Sequence, residues 1–315
     1  MNESSGRQGS PTVAVVIPTR NRVDLVARAV RSVLEQSFSD FELIVVDDGS
    51  TDATVEKLSE IEDPRLRVLA RRHSGVSMAR NAALEVASST WVAFLDDDNT
   101  WLPTYLERQL LTAHDPRRPG VVYCLSERRS ADHVERFPTY SPSGSVFQEL
   151  CGAWGPLISS VIVRRDMLVE EGGFSPALEV FEDRDLLLRL ALRTPFLAND
   201  EVLVIRYEHE RARLLDDQER RVRCYHLLHH RWRRDVRRRL GLRVYARWTR
   251  RWLVDAEVSR MFLRAESGGR RVALGSLRLL APELPWSWNG VARALTMLVL
   301  GPRGYSRLRA AIRER

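Results

Sequence analysis

The strongest constraint on the fold is the stretch Thr90-Trp91-Val92-Ala93-Phe94-Leu95-Asp96-Asp97-Asp98-Asn99, where an apolar run leads straight into three carboxylates. Thr90 to Leu95 is rich in β-branched and aromatic residues and too short for a helix, so it reads as a buried central strand. Adjacent carboxylates at the end of such a strand raise one another's pKa unless a cation or strong hydrogen bonds compensate. A divalent ion is the usual compensator, and hard oxygen donors suit Mg2+ or Mn2+. These ions take one or two protein carboxylates and complete their shell with water and substrate phosphates. Taken alone, three aspartates ahead of Asn99 and Pro103 would read as a solvated acidic turn. The strand before them and the pattern of the rest of the chain favour the metal.

That pattern is an alternation of strands and helices. Pro11 to Pro18 is a short apolar strand followed by the turn Thr19-Arg20-Asn21-Arg22, and Val26, Ala29, Val30, Val33 and Leu34 then recur at helical spacing. Phe41 to Val46 is a second strand ending in Asp47-Asp48-Gly49-Ser50, with Ser50 or Thr51 placed to cap the next helix. Leu66 to Leu69 is a third, and Gly75 opens a helix running to Val86. The alternation predicts an α/β domain with a mostly parallel sheet flanked by helices. In such sheets ligands bind beyond the carboxyl ends of the strands, where strand order reverses. Pro18-Thr19, Asp47-Asp48 and Asp96-Asp97-Asp98 all fall at such ends. Read alone, Asp47-Asp48 serves equally well as an Asp-Gly turn with helix-capping carboxylates. There is no Gly-x-Gly-x-x-Gly after the first strand and no Gly-Lys-Ser/Thr, so a nucleotide must be held in another way. A carboxylate on a base N–H, an arginine on the diphosphate and a metal would suffice, and Arg71, Arg72 and Arg80 are available.

Val15-Val16-Ile17-Pro18-Thr19-Arg20-Asn21-Arg22, Val45-Val46-Asp47-Asp48-Gly49-Ser50-Thr51-Asp52, Gly75-Val76-Ser77-Met78-Ala79-Arg80-Asn81 and Phe94-Leu95-Asp96-Asp97-Asp98-Asn99 occur in that order. Together they resemble the N-terminal half of inverting family 2 glycosyltransferases with the GT-A fold. Ser159 to Arg165, Gly172-Gly173-Phe174 and Phe181-Glu182-Asp183-Arg184-Asp185-Leu186 resemble that family's acceptor-side pattern, so the likeness covers roughly residues 11–210. The resemblance implies a nucleotide-sugar site built from Pro18, Thr19, Asn21, Asp47, Asp48, Arg80, Asp96 and Asp97. In it Asp48 takes the base with Thr19 nearby, and Arg80 faces the diphosphate. Asp96 and Asp98 form the Asp-x-Asp motif. Many members carry a fourth acid where this chain has Asn99, which leaves Asp97 and Asp98 both open to the metal; Asp98 is favoured.

Glu182-Asp183 precedes the apolar residues of a helix, where capping donors and the helix dipole stabilise carboxylates. Capping accounts for one acid and leaves the other for chemistry. The resemblance makes Asp183 the general base for the acceptor hydroxyl, with Glu182 as its electrostatic neighbour. After a further strand, Glu201 to Tyr207, His209 stands where many GT-A enzymes place a late metal or diphosphate ligand. A solvent-facing loop histidine explains it equally well.

The 315-residue chain carries a net charge of +7, but unevenly. Residues 211–315 hold 26 arginines against 9 acids, a net of +17, so the front portion is acidic at −10. This divides the chain into a polar, disordered lead at 1–10, a GT-A domain at 11–210 and a basic, mainly helical extension at 211–315. Residues 1–10 lack an apolar leader core, and no apolar run reaches the ~20 residues that span a bilayer. The expected location is cytoplasmic, with peripheral contact at the inner face of the membrane. Cys124, Cys151 and Cys224 are too scattered for a zinc site or disulfide framework and read as buried thiols. In the extension, clustered arginines alternate with Trp232, Trp248, Trp252, Trp286 and Trp288, a mixture suited to an anionic membrane or a lipid diphosphate. Nucleic acid phosphates would fit the same composition, as would a solvated helical appendage. His226, His229 and His230 share a helix face but have no accompanying cysteine or paired carboxylate to make a metal site.

The expected activity is metal-dependent, inverting transfer of a sugar from a UDP- or dTDP-sugar to a hydroxyl acceptor, either a glycan, a lipid-linked sugar or a small molecule. Two rivals stand beside it. A sugar-phosphate nucleotidyltransferase would open with a Gly-rich, Arg-containing loop that is missing after Val16. A vestigial scaffold binding membrane or nucleic acid would not need the acids at Asp48, Asp98 and Asp183.

Overall fold

The computed structural model describes residues 10–129, 134–138, 140–152, 154–207 and 217–266, with side chains in the last helix described to Trp252. The chain forms two compact units. The first runs to Ala177 and resumes at Glu182, and the second joins Leu178–Phe181 to the chain from Arg211 onward.

Among the described residues, the first unit is built on nine strands. They are β1 (Val13–Thr19), β2 (Phe41–Asp47), β3 (Leu66–Ala70), β4 (Trp91–Phe94), β5 (Asn99–Trp101), β6 (Val121–Arg129), β7 (Val134–Phe137), β8 (Val161–Arg164) and β9 (Phe196–Tyr207). The order is β3-β2-β1-β4-β8-β6-β9-β5, with β7 paired to β6. The first four strands in that order are parallel, as the strand–helix alternation requires. Beyond β4 the sheet is mixed: β8 runs antiparallel to both β4 and β6, while β6 and β9 are parallel.

Helices α1 (Val23–Leu34), α2 (Thr54–Ser59), α3 (Val76–Val86) and α4 (Tyr105–Ala113) connect the early strands, and α5 (Phe147–Cys151), α6 (Arg165–Glu170) and α7 (Glu182–Ala191) follow. Every residue of β1 is buried, because helices cover both faces of a parallel sheet. Helix α1 places Val26, Ala29, Val30 and Val33 in the core, the stripe its spacing predicts.

Two features of the topology create the crevice. The chain moves from β1 to β2 on one side and reaches β4 on the other, so strand order reverses between β1 and β4. Strand β5 follows β4 after only four residues, yet pairs at the far edge with β9. A flat sheet would separate β4 from β5 by roughly 19 Å at the usual strand spacing. Instead the Asn99 amide donates to the Asp96 carbonyl at 3.0 Å, a β-turn that keeps its ends within about 7 Å. The sheet must therefore curl, and the three aspartates ride on the turn that closes it. Strand β5 was not expected from its sequence, since only its pairing with β9 defines it.

In the second unit, helix α8 (Gln218–Glu266) is interrupted at Gly241, where φ is 79°. Glycine tolerates that conformation at no steric cost. The two arms return antiparallel: Tyr225 meets Trp252 with ring centroids 5.0 Å apart, and His229 stacks on Trp248 at 4.8 Å. Phe181 packs on Tyr225 at 4.7 Å, and Glu179 pairs with Arg220 and Arg223. Cys124, Cys151 and Cys224 are buried free thiols, as read from their spacing. Among the described residues no helix is long and apolar enough to cross a membrane.

Candidate active site

The three strand ends named by the sequence converge, but their side chains divide the work. Asp47 is a turn residue: its carboxylate accepts from the Ser50 amide at 3.0 Å and from the Ser50 hydroxyl. Asn21, at φ 52°, ties the β1 turn to the β2 turn by accepting from the Thr51 amide at 2.7 Å. Asparagine is among the few side chains that visit this region readily. Pro18 and Thr19 sit in β1 opposite Val46 and Asp47.

Asp48 is almost wholly buried and is held by the loop before α3. Its carboxylate accepts from the Ser74 amide at 2.7 Å, the Gly75 amide at 2.9 Å and His73 Nδ1 at 2.7 Å. Arg20 Nη1 lies 3.0 Å from His73 Nε2. A guanidinium only donates, so Nε2 accepts and the proton sits on Nδ1. A nucleobase N–H reaching Asp48 would share an oxygen with these donors. His73 was not anticipated, although a histidine just ahead of a glycine-opened helix was visible in the sequence.

The acidic turn alternates. Asp97 points inward, accepting from the Thr19 hydroxyl at 2.8 Å and Arg22 Nη1 at 2.8 Å. Burial pushes its carboxyl up to about 6 against the pull of Arg22, and the neighbouring Asp98 adds to the rise. Asp96 and Asp98, one residue to either side, keep 30% and 17% of their side chains exposed. Arg22 approaches Asp98 at 3.7 Å. The turn is braced from beneath by Ser159, whose hydroxyl accepts from the Asp96 amide at 3.0 Å and from Asn99 Nδ2 at 2.9 Å. Asn99 is therefore a buried structural residue of the turn. Ser159 gave no local signal of this role, because its partners lie some sixty residues upstream.

Arg80 joins the acidic turn to the second pair of acids. Buried in α3, it donates to Asp96 at 2.8 Å and to Glu182 at 2.7 Å, with its guanidinium 5.0 Å from the Phe174 ring centroid. Among the described residues its Nε has no acceptor. Burial, and then the adjacent Asp183, push Glu182 up to about 7 against the pull of Arg80. Asp183 is less buried than Glu182, and its Oδ1 accepts from the Arg184 amide at 2.7 Å. Asp183 also raises the pKa of Asp96 after the larger effects of burial, Arg80 and Asp98, so the two acid pairs share one field.

Among the described residues, Arg22 pairs with Asp97 and Asp98 and Arg80 with Asp96 and Glu182, so carboxylates gather around these two arginines. Partly exposed Asp96 and Asp98 offer hard oxygen donors at the crevice, a set that fits a divalent ion completed by substrate phosphate. Among the described residues no cluster of three or more acidic, histidine or cysteine ligands could hold a metal by itself. His209 lies outside the described residues.

The fold and crevice define a class: an α/β protein gathering carboxylates and one buried arginine where parallel strands change order. Residues 14–159 match the family model described as Glycosyl transferase family 2, and the chain carries a family 2 glycosyltransferase domain. A relative from Escherichia coli, UDP-Glc:alpha-D-GlcNAc-diphosphoundecaprenol beta-1,3-glucosyltransferase WfgD, is 37% identical over 99 residues, 31% of this chain and 39% of its own length. Matches to this and comparable curated relatives span between 29% and 41% of their lengths. A mannosyltransferase from Pyrobaculum calidifontis, solved with GDP-Man and Mn2+, superposes with a TM-score of 0.59 at 20% identity, covering 93% of this chain and 88% of its own. S. aureus TarS 1-349 with UDP-GlcNAc gives 0.57 at 18% identity, covering 79% and 81%. At such identities the likeness shows the fold, which is GT-A.

Proposed function

We propose that the chain transfers a sugar from a nucleoside diphosphate sugar to a hydroxyl acceptor, with inversion, in the synthesis of a polysaccharide or glycoconjugate. The observation that carries this reading is the division of labour among the acids. Asp97 and Glu182 are buried on arginines, while their neighbours Asp98 and Asp183 are less buried. In this reading the Asp48 loop receives the base, and Asp96 and Asp98 face the diphosphate. When bound, Mg2+ or Mn2+ on Asp98 would offset charge on the leaving diphosphate. Arg80 holds Asp96 and Glu182 in place and brings a positive charge to the same end. Asp183, more exposed than Glu182, takes the proton of the acceptor hydroxyl as its oxygen attacks the anomeric carbon from the face opposite the leaving group. Glu182, tied to Arg80, fixes the helix start and keeps negative charge beside Asp183.

Uridine is the base expected first, in keeping with the UDP-sugars named for WfgD and TarS. The test is a panel of UDP-, dTDP- and GDP-sugars assayed for nucleoside diphosphate release, with and without Mn2+. Metal-stimulated release of a nucleoside diphosphate from one donor is expected. Release of pyrophosphate from a sugar phosphate and a nucleoside triphosphate would instead establish nucleotidyl transfer.

A further inference from the structure

The second unit carries a surface that sugar transfer does not use. On the first arm of α8, Leu227, His230, Arg234 and Arg237 recur three and four residues apart, and all four are exposed. That spacing places them along one side of the helix, leading to the break at Gly241. Immediately past the break stand Leu242 and Arg243, both exposed. Leu227 is 48% and Leu242 64% exposed, unusual for leucines on helices that bury Trp232, Trp248 and Trp252. Arg234, Arg237 and Arg243 make no ion pair with any described acid. Asp235, the acid among them, turns to Arg238 at 3.1 Å and Arg239 at 3.6 Å. Beside Leu227 lies a shallow depression of about 600 Å³ lined by Arg223, His226, Leu227, His229 and His230.

Cations flanking two exposed leucines, one along a helix and one at the turn of a hairpin, match a surface that is anionic outside and apolar a few ångströms deeper. We propose that this stripe and tip dock on an anionic lipid membrane. Leu227 and Leu242 enter the headgroup boundary, and Arg234, Arg237 and Arg243 lie on lipid phosphates. The charge attraction is screened by salt while the leucine contribution is not. A polynucleotide would use the arginines but has no place for Leu242. The proposal goes beyond the transfer reaction and does not depend on it.

The test titrates the full chain with phosphatidylcholine vesicles, with and without phosphatidylglycerol, over a range of salt. Binding is expected only to the anionic vesicles. Arg234→Gln/Arg237→Gln/Arg243→Gln should weaken it about a hundredfold and flatten the salt dependence, given about 1 kcal/mol for each basic residue near such a surface. Leu227→Ser/Leu242→Ser should weaken it about tenfold without changing the salt dependence. All five positions are exposed, and unchanged thermal unfolding will show that both variants fold. The proposal is overturned if wild type ignores anionic vesicles, if neither variant weakens binding, or if duplex DNA or RNA binds more tightly than vesicles at the same salt. Nucleotide binding, measured alongside, separates this result from the fate of the transferase assignment.

Discussion

At the scale of single residues, Glu182 and Asp183 are adjacent carboxylates in different states. Glu182 is raised to about 7 by burial and by Asp183, with Arg80 pulling it back. Its folded value lies above the ordinary carboxylate value, so the folded protein binds a proton that the unfolded chain has lost. This group's contribution to stability is present at low pH and is lost as pH rises through the window up to about 7. Asp183→Asn removes the neighbouring charge and should move the Glu182 titration downward, observable by carboxyl carbon NMR. An unchanged titration would mean that the two acids do not share a field. Asp98→Ala should abolish metal-stimulated donor turnover while leaving the unfolding temperature nearly unchanged, because this side chain is partly exposed and packs no core. Persistent turnover in that variant, or full turnover of wild type in excess chelator, would remove the metal from the mechanism.

At the scale of elements, the site depends on two braces remote in sequence from the acids. Gly173 has φ +68°, and a Cβ there would meet Asn81 Oδ1 at 2.4 Å. Asn81 uses that oxygen and its Nδ2 to hold the Phe174 amide and carbonyl, each at 2.8 Å, and Phe174 lies under Arg80. Gly173→Ala should therefore cost roughly 1–3 kcal/mol in denaturant unfolding, from backbone strain alone. It should weaken donor binding as well, because Arg80 loses its platform. Ser159→Ala strips the acceptor from the Asp96 amide and Asn99 and should cost about 1–3 kcal/mol, the penalty for buried donors left unmade. These braces explain what was legible beforehand. Parallel strands with helices between them announce themselves by local periodicity, so β1 to β4 and their polar ends were readable. Strand β5 and the mixed pairing of the later strands depend on partners far along the chain. Arg22 and Ser159 lie in the blocks that carry the family likeness, but their contacts with the acidic turn were unreadable for the same reason, since a buried hydrogen bond leaves no periodicity. Asp47, Asp97 and Asn99 could be seen as polar groups at strand ends, but which of them faced inward was settled only by the curl of the sheet.

At the scale of the whole molecule, the GT-A domain and the arginine-rich arms of α8 are separate compact units with opposite charge. The acidic crevice and the cationic stripe should respond to different ligands. Nucleoside diphosphate with Mn2+ at a hundred times its dissociation constant should stabilise the domain that binds it by about 2.7 kcal/mol. The shift should vanish in Asp98→Ala and remain in the Leu227→Ser/Leu242→Ser variant. Thermal unfolding followed with each ligand separately checks this. The central claim, that the crevice performs acid–base chemistry on an acceptor and does not merely bind nucleotide, rests on Asp183. Asparagine keeps the size of aspartate and caps a helix start about as well, but it takes up no proton at neutral pH. The deciding measurement is turnover of Asp183→Asn at saturating donor, with donor affinity determined on the same protein. Unchanged donor affinity and a loss of turnover of ~10²–10⁴, the usual contribution of a positioned general base, are expected. Near-normal turnover would contradict that role for Asp183 and pass it to Glu182.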